Sequence, residues 1–98
     1  MSKPNNKGSS ESLYKAILML ESVDECRRFF DDLCTITELT SMEQRFNVAY
    51  CLHKGMVYSK ILEEAGASSA TISRVNRSLQ NGAGGYGIIF DRLDESEE

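Results

Sequence analysis

The sequence has no long apolar run. No stretch of its 98 residues approaches the ~20 apolar residues that a membrane-spanning helix needs. The first residues, MSKPNNKGSS, also lack the apolar segment of a secretory signal. We therefore expect a cytoplasmic protein with no membrane partner.

Cysteine and histidine, the usual ligands of a structural metal, are scarce. Cys26, Cys34 and Cys51 form no CxxC pair, and the single histidine, His53, has no cysteine at ligand spacing. The pattern favours reduced, buried thiols over a zinc site, and it places His53 on a helix surface. We predict no bound metal.

Patterns that carry catalysis are also missing. The sequence shows no Ser/His/Asp arrangement and no phosphate-binding loop. Four glycines fall within residues 81–87 (NGAGGYG), but they follow a predicted helix instead of joining a strand to a helix, which argues against a dinucleotide site. A flexible connector is the simpler interpretation, with Tyr86 anchoring the C-terminal segment to the core. We predict no enzymatic activity and no cofactor.

The chain is acidic overall, but the excess acid is confined to one end. The net charge is −4, and residues 91–98 (DRLDESEE) account for it with five acids and one arginine. Residues 45–81 instead carry five basic and two acidic side chains, a balance of +3. Because a DNA surface needs local positive charge, the acidic composition does not exclude DNA binding.

Length and periodicity predict one all-helical domain. We expect a disordered N-terminus at residues 1–9, the domain at residues 10–93 and an acidic tail at residues 94–98. Ser10 is expected to cap a helix over residues 11–21. The pattern Ser22-x-x-Glu25 predicts a capping box for a helix over residues 23–34.

A third helix is predicted after a connection at residues 35–39. Thr40-x-x-Glu43 would form its capping box, and Gly55 suits the left-handed position beyond its end near Lys54. The side chains expected to face inward are Met42, Phe46, Ala49 and Leu52. Residues 88–93 are expected to pack back onto the domain as a short apolar segment.

Residues 58–79 fit the spacing of a helix-turn-helix. Counted from Tyr58 as position 1, Gly66 falls at position 9, where glycine allows the tight turn between two steeply crossing helices. Positions 4, 8, 10, 15 and 18 should be apolar, and they are Ile61, Ala65, Ala67, Ile72 and Val75. Leu62, at a position that is usually small, is the one mismatch and suggests a wider crossing. Ser68 is placed to cap the second helix.

The second helix of this motif has a surface suited to DNA. No acid occurs between residues 67 and 81, and small or hydroxyl side chains stand at its N-terminus, where a recognition helix meets base edges. The predicted DNA-binding residues are Ser68, Ser69, Ala70, Thr71, Ser73, Arg74, Asn76 and Arg77. A plain helical hairpin with a solvated polar face is the alternative interpretation.

The stretches LTSMEQRFNVAYCLHKG and YSKILEEAGASSATISRVNRSL resemble the Trp repressor superfamily, and are most similar to its YerC/YecD-type branch. Residues 66–74 (GASSATISR) match most strongly, and the similarity covers residues 39–80. The resemblance implies an all-α, Trp repressor-like domain that forms an intertwined homodimer and binds operator DNA.

The resemblance also suggests an effector pocket. In the Trp repressor two arginines sandwich the tryptophan indole, and Arg45 and Arg74 occupy the matching positions, with Ser78 at a serine near the ligand's amino group. Val75, however, stands where the repressor has a glycine, and the connection before Arg45 is shorter. The resemblance therefore gives a candidate pocket of Arg45, Arg74 and Ser78 without supporting tryptophan as its ligand.

These observations predict a sequence-specific, DNA-binding transcriptional regulator, a repressor that reads double-stranded DNA as a homodimer. The first two helices are expected to serve mainly dimerisation. The alternative is a helical protein-interaction module that keeps the fold without binding DNA. A DNA-binding piece of a transposase would require an adjoining catalytic domain with spaced carboxylates, and this chain shows none.

Overall fold

The computed structural model describes residues 6–97, and the side chains of residues 11–97. That part of the chain consists of six helices without a strand, which confirms the predicted all-α class. The helices are α1 (Asn6–Leu18), α2 (Val23–Leu33), α3 (Ile36–His53), α4 (Tyr58–Ala65), α5 (Ser69–Asn81) and α6 (Gly85–Ser96). The chain divides into two compact units, Met1–Leu39 and Thr40–Glu98.

The N-terminal unit contains α1 and α2. Residues 1–5 of the segment predicted to be disordered lie outside the described residues, whereas residues 6–9 are already helical. The predicted cap at Ser10 is wrong, because Ser10 lies inside α1. The capping box of α2 is confirmed for its serine, whose Oγ accepts from the Glu25 amide at 3.1 Å. The Glu25 carboxylate accepts from the amide of Glu21, one residue earlier than the pattern predicts.

The start of α3 differs from the prediction. Thr40 lies inside the helix, and the capping box is formed five residues earlier by Thr35 and Glu38. The Thr35 hydroxyl accepts from the Glu38 amide at 3.1 Å, and the Glu38 carboxylate accepts from the Thr35 amide at 2.8 Å. Both sites have the Thr-x-x-Glu spacing, and the earlier one satisfies two terminal amides while extending the helix over the expected connection.

The core lies in the C-terminal unit. Its buried side chains come from helices α3 to α6 and from the turn between α4 and α5, and they are Val48, Ala49, Ile61, Ala67, Ile72, Val75 and Phe90. The predicted inward face of α3 is confirmed for Ala49 and Leu52, which are buried and partly buried. It is wrong for Met42, which is 37% exposed, whereas Phe46 is 40% exposed but packs its ring on the buried Phe90 with a centroid distance of 5.6 Å. Helix α3 carries more apolar side chains than a single core face accommodates.

Helix α6 closes this core. Only residues 82–84 of the predicted glycine-rich connector are non-helical, and Gly84 takes a φ of +88° there, which glycine adopts at little cost. Phe90 is fully buried. The Tyr86 ring stacks on it with a centroid distance of 5.7 Å, as expected for an anchor. The predicted acidic tail begins within α6, since residues 94–96 form its last turn.

Polar contacts join the C-terminal ends of α3 and α6. The Oδ2 of Asp94 lies 2.8 Å from Nε2 of His53, and its Oδ1 lies 3.3 Å from Nζ of Lys54. The hydrogen bond from His53, together with that from Lys54, lowers the pKa of Asp94, and the bond to Asp94 raises the pKa of Lys54. His53 is exposed on α3, as predicted, and its ring also stacks on that of Phe90 with a centroid distance of 4.8 Å.

The three cysteines are free thiols, and each is partly buried. Within residues 6–97 no helix combines the length and the apolar character needed to cross a membrane.

Candidate nucleic-acid interface

The helix-turn-helix is formed by α4 and α5. Gly66 adopts a left-handed conformation (φ 66°, ψ 19°) at the end of α4, as the motif requires. Four of the five predicted apolar positions are buried, and Ala65 is partly buried against them. Leu62 is 40% exposed. Its side chain therefore lies outside the helix crossing, and the mismatch does not require a wider one.

The N-terminus of α5 is held by a paired serine and threonine. The Oγ of Ser68 accepts from the Thr71 amide at 3.1 Å, which confirms the predicted cap. The same Oγ donates to the hydroxyl oxygen of Thr71, also at 3.1 Å. This pair fixes the position of the Thr71 hydroxyl and leaves its proton available to an acceptor on a ligand.

The predicted DNA-binding residues lie together on α5 and its cap. Thr71 and Asn76 are partly buried, and the other six are exposed. Because residues three and four apart share a face of a helix, Ala70, Ser73, Arg74 and Arg77 form one continuous surface. We call this surface the α5 face.

The charges around the α5 face suit a polyanion. The first turn of α5 carries no acid, whereas α2 begins with Asp24 and Glu25. Lys54 and Lys60 are paired with carboxylates of the same unit. Within residues 11–97 no ion pair involves Arg74 or Arg77. Both guanidinium groups therefore remain free to bind phosphate oxygens, which they can do in bidentate fashion.

The candidate effector residues are less clearly assembled. Arg45 is exposed on α3, and Arg74 and Ser78 are exposed on α5. In the described part of the chain no hydrogen bond or ion pair connects Arg45 with either of them. Val75 is only 2% exposed and belongs to the core.

Sequence reasoning missed one residue that contacts the turn. The side-chain amide of Gln44, on α3, donates to the backbone carbonyl of Gly66 at 3.3 Å. No local pattern marks this glutamine, because its partner lies 22 residues further along the chain. Only the packing of α3 against the motif brings the two together.

Three comparisons place this geometry among known proteins. The family model described as Trp repressor protein matches residues 9–94. A Bacillus subtilis (strain 168) protein, described as uncharacterized protein YerC, is 51% identical over 87 residues, which cover 89% of this chain and 84% of the relative. A TrpR-like protein from Eubacterium eligens ATCC 27750 superposes with a TM-score of 0.86 at 50% identity, over 92% of this chain and 96% of that chain. A crystal structure described as a candidate Trp repressor from Staphylococcus aureus gives a TM-score of 0.84 at 50% identity, over 88% of this chain and 86% of that one.

Proposed function

Because the chain belongs to the Trp repressor protein family, we propose that it is a DNA-binding transcriptional regulator, a repressor that reads operator DNA with α5. The α5 face is the observation that carries the proposal. It is exposed and free of acid, and its helix has a capped N-terminus. Its two arginines form no ion pair with any side chain of residues 11–97. Arg74 and Arg77 bind phosphates, and Thr71 and Ala70 contact base edges in the major groove. DNA as the ligand implies a cytoplasmic location, and the proposal assigns no enzymatic activity.

The proposed binding unit is an intertwined homodimer. None of the described side chains of the N-terminal unit is buried, although Leu18, Val23 and Ile36 are apolar and 82%, 74% and 85% exposed. Apolar surface of this extent is unfavourable in water and is typical of an interface. A second copy that covers it would present two α5 helices to successive major grooves, about 34–36 Å apart along the DNA.

The proposed regulator does not require tryptophan. The burial of Val75 in the core supports this view. A ligand that binds only the folded protein adds about 2.7 kcal/mol of stability at 100 times its dissociation constant, so L-tryptophan at millimolar concentration should leave the melting temperature unchanged. A clear rise would show that Arg45, Arg74 and Ser78 do form a tryptophan pocket. The variant Val75→Gly, compared with its own ligand-free melting temperature, tests whether this side chain closes the pocket.

DNA binding is tested by fluorescence anisotropy at several salt concentrations, on an operator selected from genomic DNA and on a scrambled duplex. Arg77→Ala should weaken binding to both duplexes and reduce the salt slope by about one per contact removed in each half-site. Thr71→Ala should cost ~1–3 kcal/mol on the operator only. Arg92→Ala, an equal change of charge at an exposed position of α6, is the control and should alter neither. If the wild-type dimer binds neither duplex at low salt, the regulator proposal is wrong and the interaction-module alternative replaces it.

A further inference from the structure

The hydrogen bond between Gln44 and Gly66 ties α3 to the turn of the helix-turn-helix. In residues 11–97 no other side chain of α3 or α6 forms a hydrogen bond to the segment between α4 and α5. We propose that Gln44 is a positioning residue for DNA recognition, which fixes the orientation of the turn and, through it, the N-terminus of α5. This inference rests on the proposed function and assigns Gln44 no contact with DNA.

Apart from this bond, the core holds the turn through apolar contacts, since Ala67 is buried and Ala65 packs against the same cluster. The side chains that attach α4 and α5 to α3 are apolar, with Val48 and Ala49 in the same cluster as Ile61 and Ile72. Burial of apolar surface is not directional, whereas a hydrogen bond weakens steeply as its angle departs from linearity. Gly66 has no side chain of its own, and nothing lies within 4 Å of the place where a Cβ would stand. Its carbonyl is therefore the group by which the core can hold the turn in a defined orientation.

The anchored carbonyl is close to the residues that would read DNA. One residue, Ala67, separates it from the cap Ser68, whose hydroxyl holds Thr71. A small rotation of the turn would therefore move the hydroxyl pair as a unit. Base contacts have narrow geometric tolerance, while long arginine side chains can follow a phosphate. Loss of the Gln44 bond should consequently reduce discrimination between DNA sequences more than overall affinity.

The test uses Gln44→Met, which keeps nearly the same volume and removes the donor. The matched control is Gln80→Met, at an exposed position near the end of α5. Backbone hydrogen exchange of Thr71 and Ile72 is measured by NMR on the full chain, and anisotropy is measured on the selected operator and on scrambled DNA. Since a hydrogen bond contributes modestly to net stability, we expect Gln44→Met to accelerate exchange and to lower the operator-to-scrambled affinity ratio by roughly threefold to tenfold. Gln80→Met should do neither.

The possible outcomes distinguish a failure of the proposed role of Gln44 from a failure of the proposed DNA-binding function. A wild type that binds DNA, combined with a Gln44→Met variant of unchanged exchange and unchanged discrimination, would overturn the role of Gln44 alone. Equal weakening on both duplexes would also overturn it, because that result indicates a loss of folded protein and not a misplaced helix. A wild type that binds neither duplex would overturn the regulator proposal itself, and with it any role of Gln44 in recognition.

Discussion

The two units of the chain differ in the range of their polar contacts. The described contacts of the N-terminal unit include pairs three or four residues apart, as in the Asp24–Arg28 ion pair and the Thr35–Glu38 cap. The C-terminal unit has such local pairs too, as between Ser68 and Thr71, but it also has contacts between residues distant in sequence, as between Gln44 and Gly66 or between His53 and Asp94. The same contrast holds for burial, since every buried side chain among residues 11–97 belongs to the C-terminal unit.

This contrast shows which unit can hold its own structure. Local ion pairs on a helix contribute about 0.3–0.5 kcal/mol each, and isolated helices shorter than ~12–15 residues are marginal in water. Helix α2 has 11 residues and no buried side chain. Its local caps set where it begins but do not supply the burial that keeps it folded. The second copy of the proposed homodimer would supply this burial.

The largest effect is expected from a substitution that introduces a charge into the N-terminal unit. Leu33 is 50% exposed at the end of α2. If a second copy covers its exposed half, Leu33→Asp removes about half of the ~1.5–3 kcal/mol that full burial of a leucine contributes per protomer. It also places an unpaired carboxylate in the interface, which costs several kcal/mol more, and a symmetric dimer bears both losses twice. Sedimentation at micromolar concentration should show twice the 11.0 kDa chain mass for the wild type and for Leu33→Met, and the single mass for Leu33→Asp. If the wild type remains monomeric, burial against a second copy does not explain the exposed apolar side chains of the N-terminal unit.

The second largest effect is expected from a core substitution in the C-terminal unit. Phe90 is fully buried among the rings of Phe46, Tyr50 and Tyr86. Phe90→Ala should lower the free energy of unfolding by about 3–5 kcal/mol, because it removes apolar contacts and leaves a cavity. Chemical denaturation at two protein concentrations measures this loss. Tyr14→Ala, at a 63% exposed position in the N-terminal unit, is the control. A loss of similar size in both variants would contradict the assignment of the core to the C-terminal unit.

The features that were predicted correctly from the sequence depend on local signals. The helix-turn-helix was predicted from Tyr58 onward because fixed apolar spacings and a glycine turn are local signals. The cap at Ser68 is local as well. The start of α3 was misplaced because Thr35 and Thr40 both begin a Thr-x-x-Glu pattern, and local rules do not choose between them. Two glycines of the predicted connector belong to α6 instead. Burial of Phe90 and Tyr86 outweighs the roughly 1 kcal/mol that each helical glycine costs.

The candidate site shows the same limit. The composition of the α5 face follows from the sequence, because helical spacing alone brings Ser73, Arg74 and Arg77 together. The contact of Gln44 with the turn and that of His53 with Asp94 depend on packing between helices that are distant in sequence. The periodicity of the sequence does not identify such pairs, so the three-dimensional structure is needed to find them.

The smallest effect concerns pH and compares one aspartate from each unit. The hydrogen bond from His53, with that from Lys54, lowers the pKa of Asp94 below its ordinary value. The unfolded chain then binds a proton at higher pH than the folded protein does, so the Asp94 carboxylate stabilises the fold above the unfolded-state pKa of about 4. This contribution is lost as the pH falls through the folded-state pKa.

Asp94→Asn should therefore flatten the decline in melting temperature between about pH 5 and pH 3. Asp24→Asn, which breaks an exposed ion pair within α2, is the comparison variant for a local contact. Parallel profiles for Asp94→Asn and the wild type would show that the contacts between α3 and α6 add nothing beyond what a local ion pair provides.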